Sequence, residues 1–280
     1  MHKLQLFLIC MLFPLSMLAQ HTEQSLIIYR NNDTKLYLPC ETIDSITFLH
    51  NEPTTLWVHM PQDPLFIPVA DIDSMKVLPL PSFCPDAHHP HAIDLALPSG
   101  NKWACCNIGS SAPEDDGGYY AWGEVEEKTD YSWDTYNLAH YDYTYDDYVC
   151  DYAGINISGT PNDVAYVKWG KPWRMPSEGA YHELMNNCSC QQIEYRGTKG
   201  WIFTGSNGNS VFMPAAGSYI DTSITLKGIS TQNWTSTFYL DDYLNQHAYF
   251  FSISTFNDAP LYNAVMNDRY NGRTVRAIAK

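Results

Sequence analysis

The chain has 280 residues and a formal charge of −15, from 31 Asp and Glu against 16 Lys and Arg. So acidic a surface repels nucleic acid and anionic lipid, which argues against both as partners. The length is enough for one or two domains with a real core.

The first element is a leader. His2 and Lys3 precede an apolar run from Leu4 to Leu18, and the small Ala19 follows. This is the pattern of a secretory signal peptide over residues 1–19, with a mature start near Gln20. It predicts an exported protein, at the cell surface, in the periplasm or outside the cell. Pro14 and the shortness of the run argue against a permanent span, which needs about 20 apolar residues. Cys10 is not placed as a lipoprotein cysteine, because Ile9 is large where that cut takes a small residue. Beyond the leader stand Cys40, Cys84, Cys105, Cys106, Cys150, Cys188 and Cys190, an odd number that leaves at least one thiol unpaired within the chain. Their pairing stays open.

Residues 20–80 form a small β module with an internal repeat. LIIYRNNDTKLYLPCETIDSITFL, from Leu26, matches LWVHMPQDPLFIPVADIDSMKVL, from Leu56. Pro39, Ile43, Asp44 and Ser45 recur as Pro68, Ile72, Asp73 and Ser74. Each copy reads as strand, turn, strand, Asp-Ser corner and third strand. Residues 81–91 are rich in proline, lack periodicity and read as a solvated linker. Cys84, His88, His89 and His91 are metal-ligand types, but no second ligand cluster stands at zinc-site spacing, so no metal site is assigned.

Residues 92–280 are the main domain, α+β and mostly β. Ile93, Leu95 and Leu97 alternate, Pro98-Ser99-Gly100-Asn101 is a turn, and Lys102 to Asn107 returns, which predicts a hairpin. Tyr119 to Gly123 reads as an aromatic strand. Tyr131 to Tyr152 is dense in Tyr and Asp without core periodicity, which predicts a long surface loop. In KPWRMPSEGAYHEL, Pro176 disfavours helix at Met175, Ser177 stands at an N-cap, and Glu178 complements the helix dipole. Ala180, Tyr181, Leu184 and Met185 share one helical face. Trp173, Arg174, Pro176 and Ser177 are therefore structural, and Trp103, Trp169 and Trp201 read as core. A hairpin follows around Asn207-Gly208, then strands over 234–239, 248–254 and 274–279.

The runs AIDLALPSGNKWACCNIG, PEDDGGYYAWGE, ISGTPNDVAYVKWGKPWRMPS, FTGSNGNSVFMPAAG and NGRTVRAIAK, in that order, resemble the Fibrobacter succinogenes major paralogous domain family of Bacteroidetes-type surface proteins. The resemblance implies a C-type-lectin-like fold whose irregular loops carry binding, preceded by an Ile-Asp-Ser-Ile repeat module. The chain departs from the motif at Ala180, where a Glu usually completes a capping box. Asp44-Ser45-Ile46 and Asp73-Ser74-Met75 also resemble the Asp-Ser/Thr-aliphatic acceptor of Bacteroidetes O-glycosylation, at Ser45 and Ser74.

No catalytic motif is found: GxSxG, a Walker loop, GxGxxG and HExxH are all missing. Formylglycine-generating enzymes of the wider fold use late cysteines, and this chain has none after Cys190. The expected protein is thus a non-enzymatic, cell-surface binding or adhesion protein with a glycan or surface protein as ligand, the alternatives being a glycan-active hydrolase or a purely structural component. Expected ligand contacts are Tyr131, Trp133, Tyr136, Tyr141, Tyr143 and Tyr145, with Asp142, Asp146 and Asp147. No cofactor is assigned. Glu114-Asp115-Asp116 and Asp146-Asp147 carry the hard oxygens that Ca²⁺ takes, but such runs are commonly a solvated face.

Overall fold

The computed structural model describes residues 24–31, 35–40, 43–49, 52–61, 64–79, 83–84, 88–240, 244–256 and 259–280. The expected leader lies outside the described residues.

The repeat forms two hairpin-and-strand units. The first holds β1 (Gln24–Arg30), β2 (Lys35–Pro39) and β3 (Ser45–Leu49); the second holds β4 (Glu52–His59), β5 (Leu65–Pro68) and β6 (Ile72–Pro79). The units exchange their third strands: the sheets run β2-β1-β6 and β3-β4-β5, all antiparallel. Leu26, Ile28 and Leu38 from one unit meet Leu56, Val58 and Ile67 from the other in a shared buried core. Neither copy could cover its apolar face alone, which is why both are needed. Tyr37 on β2 packs against a second cluster built from Phe83, Ile193, Tyr195, Ile202 and Phe212. Phe83 and Cys84 are buried, at 2% and 8% exposure, so this part of the expected linker is not solvated.

In the main domain β7 (Ala92–Asp94) and β8 (Lys102–Ala104) make the expected hairpin. A second hairpin, β9 (Ala139–Asp142) and β10 (Asp147–Cys150), interrupts the segment read as a loop. Two helices follow, α1 (Val164–Trp169) and α2 (Glu178–Asn187). Then come the antiparallel meander β11 (Ser189–Tyr195), β12 (Thr198–Thr204) and β13 (Ser210–Pro214), the hairpin β14 (Ser218–Ile220) and β15 (Ser223–Thr225), and the meander β16 (Thr231–Phe238), β17 (His247–Phe256) and β18 (Ala259–Asp268). The chain ends with β19 (Gly272–Arg273) on β14 and β20 (Ile278–Ala279) on β8, so its last strand closes on the first hairpin of the main domain. The fold is α+β and mostly β.

Two further expectations change. Helix α1 was not foreseen; Asp163 caps it, accepting from the Ala165 and Tyr166 amides. Residues 119–123 form no strand beyond one bridge, Tyr120 to Arg273. Tyr119, Tyr120, Ala121 and Trp122 are buried in succession, which a strand with one wet face could not do.

The core has two main parts. One gathers Trp122, Trp173, Met175, Trp234 and Phe250; the other gathers Trp103, Tyr181, Leu184, Trp201, Phe203 and Phe251. Tyr181 stacks on Phe251 with centroids 4.4 Å apart, a pair worth about 1 kcal/mol beyond its area. Trp169 is half-buried and meets Trp173 edge-on. Arg174 donates to Asn101 Oδ1 at 2.9 Å, and its backbone bridges Ile278, which accounts for it structurally. Ser177 Oγ accepts from the Ala180 amide at 3.2 Å. Ser177→Ala should therefore cost about 1 kcal/mol in a denaturant titration.

Candidate functional site

The expected binding segment divides into a buried root and an exposed tip. At the root, Tyr131 and Tyr136 are 1% and 2% exposed. Their hydroxyls donate to the Tyr119 and Trp122 carbonyls at 2.5 and 2.6 Å. Burial pushes the Tyr131 phenol up to about 12 and raises that of Tyr136 as well. Both are core residues and not ligand contacts, which corrects the sequence reading. Tyrosine carries an apolar body and a polar tip, so backbone acceptors inside the fold are enough to bury it. Arg269 lies over Tyr136 and Trp122 and donates to the Asp151 and Asn245 carbonyls, each at 2.9 Å. Gln246 donates to the Tyr148 carbonyl at 2.7 Å, which ties β10 to the body of the domain.

From this root a ladder of rings climbs outward. Trp133, half-buried, meets Tyr270 edge-on at 4.6 Å and stacks on Tyr148 at 5.6 Å. Tyr148 sits opposite Tyr141 across the hairpin and meets it edge-on at 5.4 Å. Tyr141 meets Tyr143 at 5.2 Å. Exposure rises along the ladder, to 40% at Tyr141 and 91% at Tyr143, and Tyr145 in the same turn is 54% exposed. The tip has its own order. Asp142 accepts from the Thr144 amide at 2.7 Å, and the Tyr141 hydroxyl donates to Asp146 at 2.5 Å. The Thr144 backbone and side-chain donors hold the Asp142 carboxyl below its usual range, so it remains an acceptor. Asp142 and Asp147 face each other across the β9–β10 pair, an arrangement that like charges disfavour.

Asn137 and Leu138, which lead into β9, also line a shallow groove of about 320 Å³ with Gly123 to Lys128, Pro161 and Asn162. Inside it Glu124 is nearly buried, accepts from the Asn137 amide at 2.7 Å and pairs with Lys128 at 2.9 Å. The Lys128 ammonium lies over Tyr131 and Tyr136. The sequence reading missed this groove, because its wall joins segments on both sides of the hairpin.

Other expected positions resolve differently. Glu114 pairs with Arg196 at 3.1 Å, Asp116 pairs with Lys227, and Asp115 accepts from Ser111 at 2.9 Å. The acidic run is thus tied to cations and hydroxyls of its own chain. Ser45 is exposed at the start of β3, while Ser74 is half-buried within β6 and donates to Asp73 at 3.3 Å. None of the seven described cysteines is in a disulfide.

One group of metal-ligand side chains gathers among the described residues: Cys84, His89, His91 and Cys105, with all four donor atoms within 4.8 Å of one another. His88 is exposed and outside the group. The sequence reading assigned no metal because it sought a second cluster along the chain. The fourth residue, Cys105, instead arrives across the β7–β8 hairpin, whose register sets its amide 3.0 Å from the His91 carbonyl. The Cys105 thiol is driven down, first by its hydrogen bond with Cys106 and then, against burial, by the His91 amide and the two imidazoles. Cys106 is raised by the same contact and by burial.

No family model, curated protein or solved structure matches the chain.

Proposed function

We propose that the chain is an exported, non-catalytic surface protein of C-type-lectin-like fold that binds glycan through the β9–β10 hairpin tip. The single observation that carries this reading is the exposure of Tyr141, Tyr143 and Tyr145 beside Asp142, Asp146 and Asp147. Ring faces cover the apolar C–H side of a sugar, and carboxylates and amides accept from its hydroxyls. Tyrosine gives large contact area at low rotamer cost, which suits it to a binding loop. Exposed rings anchored through Tyr148 and Trp133 to the core are also held in place before a ligand arrives, which lowers the ordering cost of binding. The five sequence runs that resemble the Fibrobacter paralogous domain family support the export and surface role.

The test is a glycan-array and matrix-protein screen with the whole mature chain, followed by variants. Tyr143→Ala with Tyr145→Ala should weaken binding by about 10-fold or more, since truncated anchor residues typically cost above 1 kcal/mol. The same pair should leave the unfolding midpoint within about 0.5 kcal/mol of the parent, as expected of exposed side chains. Unchanged affinity in the double variant would place binding elsewhere. Preference for a matrix protein over every glycan would replace the sugar with a protein ligand.

A further inference from the structure

Cys84, His89 and His91, metal-ligand types that stand close in sequence, converge with Cys105 on one point. Cys84 Sγ lies 3.1 Å from His89 Nδ1 and 3.1 Å from His91 Nδ1. Cys105 Sγ lies 3.3 Å from His89 Nδ1 and 3.7 Å from His91 Nδ1. Around a tetrahedral zinc ion, with bonds of about 2.3 Å to sulfur and about 2.0 Å to nitrogen, each sulfur and nitrogen stand roughly 3.5 Å apart. The four observed separations bracket that value. Hydrogen bonding alone fits poorly. Each inward Nδ1 takes or gives a single hydrogen bond, which serves two of the four sulfur–nitrogen contacts, while all four lie at 3.1 to 3.7 Å.

The surroundings suit a cation better than they suit loose side chains. Cys84 and Cys105 are 8% and 0% exposed, and Ile93 and Trp169 pack against them. Two thiolates with two neutral imidazoles cancel a divalent charge, so an occupied centre would bury no net charge. The His91 amide donates to Cys105 Sγ at 3.2 Å, an outer donor aimed at that sulfur, and the Cys106 sulfur lies 3.8 Å from it. Both imidazoles turn the same nitrogen, Nδ1, inward. All four coordination positions come from protein, which is the closed arrangement of structural zinc rather than catalytic zinc.

We propose that Cys84, His89, His91 and Cys105 form a structural zinc site. It fastens the segment between the β module and the main domain onto the β7–β8 hairpin. The ligand set follows the pattern C-x4-H-x-H-x13-C. One end of that segment is already anchored by Phe83 in the cluster that Tyr37 joins from the module, so the ion holds a junction between the two parts. Each thiol gives up its proton to solvent on coordination.

The experiment uses the whole mature chain, reduced and then freed of reductant without air. Zinc is added, unbound metal is dialysed away, and metal is counted by mass spectrometry. One equivalent per chain is expected. Cobalt in place of zinc should give the intense visible bands of a tetrahedral ion together with thiolate-to-metal charge transfer. X-ray absorption on the zinc form should show two sulfur and two nitrogen neighbours. Cys84→Ser and His91→Ala should each abolish the retained equivalent, and Cys188→Ser, outside the cluster, should keep it. The cobalt and X-ray spectra of the unaltered chain decide the matter even where a variant fails to fold. The proposal is overturned by no retained metal, by a first shell without sulfur, or by an equivalent that survives Cys84→Ser. A Cys84–Cys105 disulfide whose reduced form takes up no zinc would overturn it too.

Discussion

Asp163→Ala should cost about 4 kcal/mol or more, enough to bring the main domain close to unfolding. Asp163 is fully buried, and its two carboxylate oxygens serve four amides. Oδ1 accepts from Ala165 and Tyr166 at 2.9 and 3.1 Å, capping α1. Oδ2 accepts from Gly159 and Met175 at 2.7 and 2.9 Å, tying that cap to the approach of α2. Removal leaves four N–H groups with no acceptor, each costing about 1–3 kcal/mol where water does not reach. Burial pushes this carboxyl up, and the four amides oppose it. Asp163→Asn separates cap from charge. It keeps one acceptor oxygen, but its NH₂ must face amides that also donate, so it should lose nearly as much as Ala. A urea titration reading a loss under about 1.5 kcal/mol for Ala would show that water replaces the carboxylate.

Gly217→Ala should cost about 3 kcal/mol or more. Gly217 holds φ +65°, and a Cβ there would stand 2.0 Å from the Thr225 carbonyl oxygen and 2.6 Å from the Lys227 amide. Both neighbours are backbone, at the base of the β14–β15 hairpin, and cannot rotate aside. Gly208 is the control, with φ +84° and open space where its Cβ would go. Gly208→Ala carries the conformational strain alone and should cost about 1 kcal/mol. The difference between the two midpoints measures the close approach. Equal losses would mean that the hairpin shifts to accept the methyl.

Much of the fold was legible in short-range chemistry. The Ser177 cap, the Asn207-Gly208 turn and the β7–β8 hairpin each depend on hydrogen bonds within a few residues, so residue order alone specifies them. The repeat was legible for the same reason, since equal local instructions appear twice. Helix α1 escaped because six residues give too little periodicity, although Asp163 after Pro161 was the available signal. The tyrosine segment was half legible. Its density of Tyr and Asp predicted a surface segment, but composition cannot tell a ring that covers the core from one that faces water.

What the sequence determined by itself is therefore local: caps, turns, strand propensity, acidic charge and the two-copy module. Tertiary structure alone decided that β3 and β6 trade partners between the copies, that β20 closes on β8, and that Tyr131 and Tyr136 sink while Tyr143 stands out. It also decided that Cys105 meets Cys84, His89 and His91. The reason is the same in each case. These outcomes depend on which apolar face finds cover and which buried polar tip finds an acceptor, and both partners lie far away along the chain.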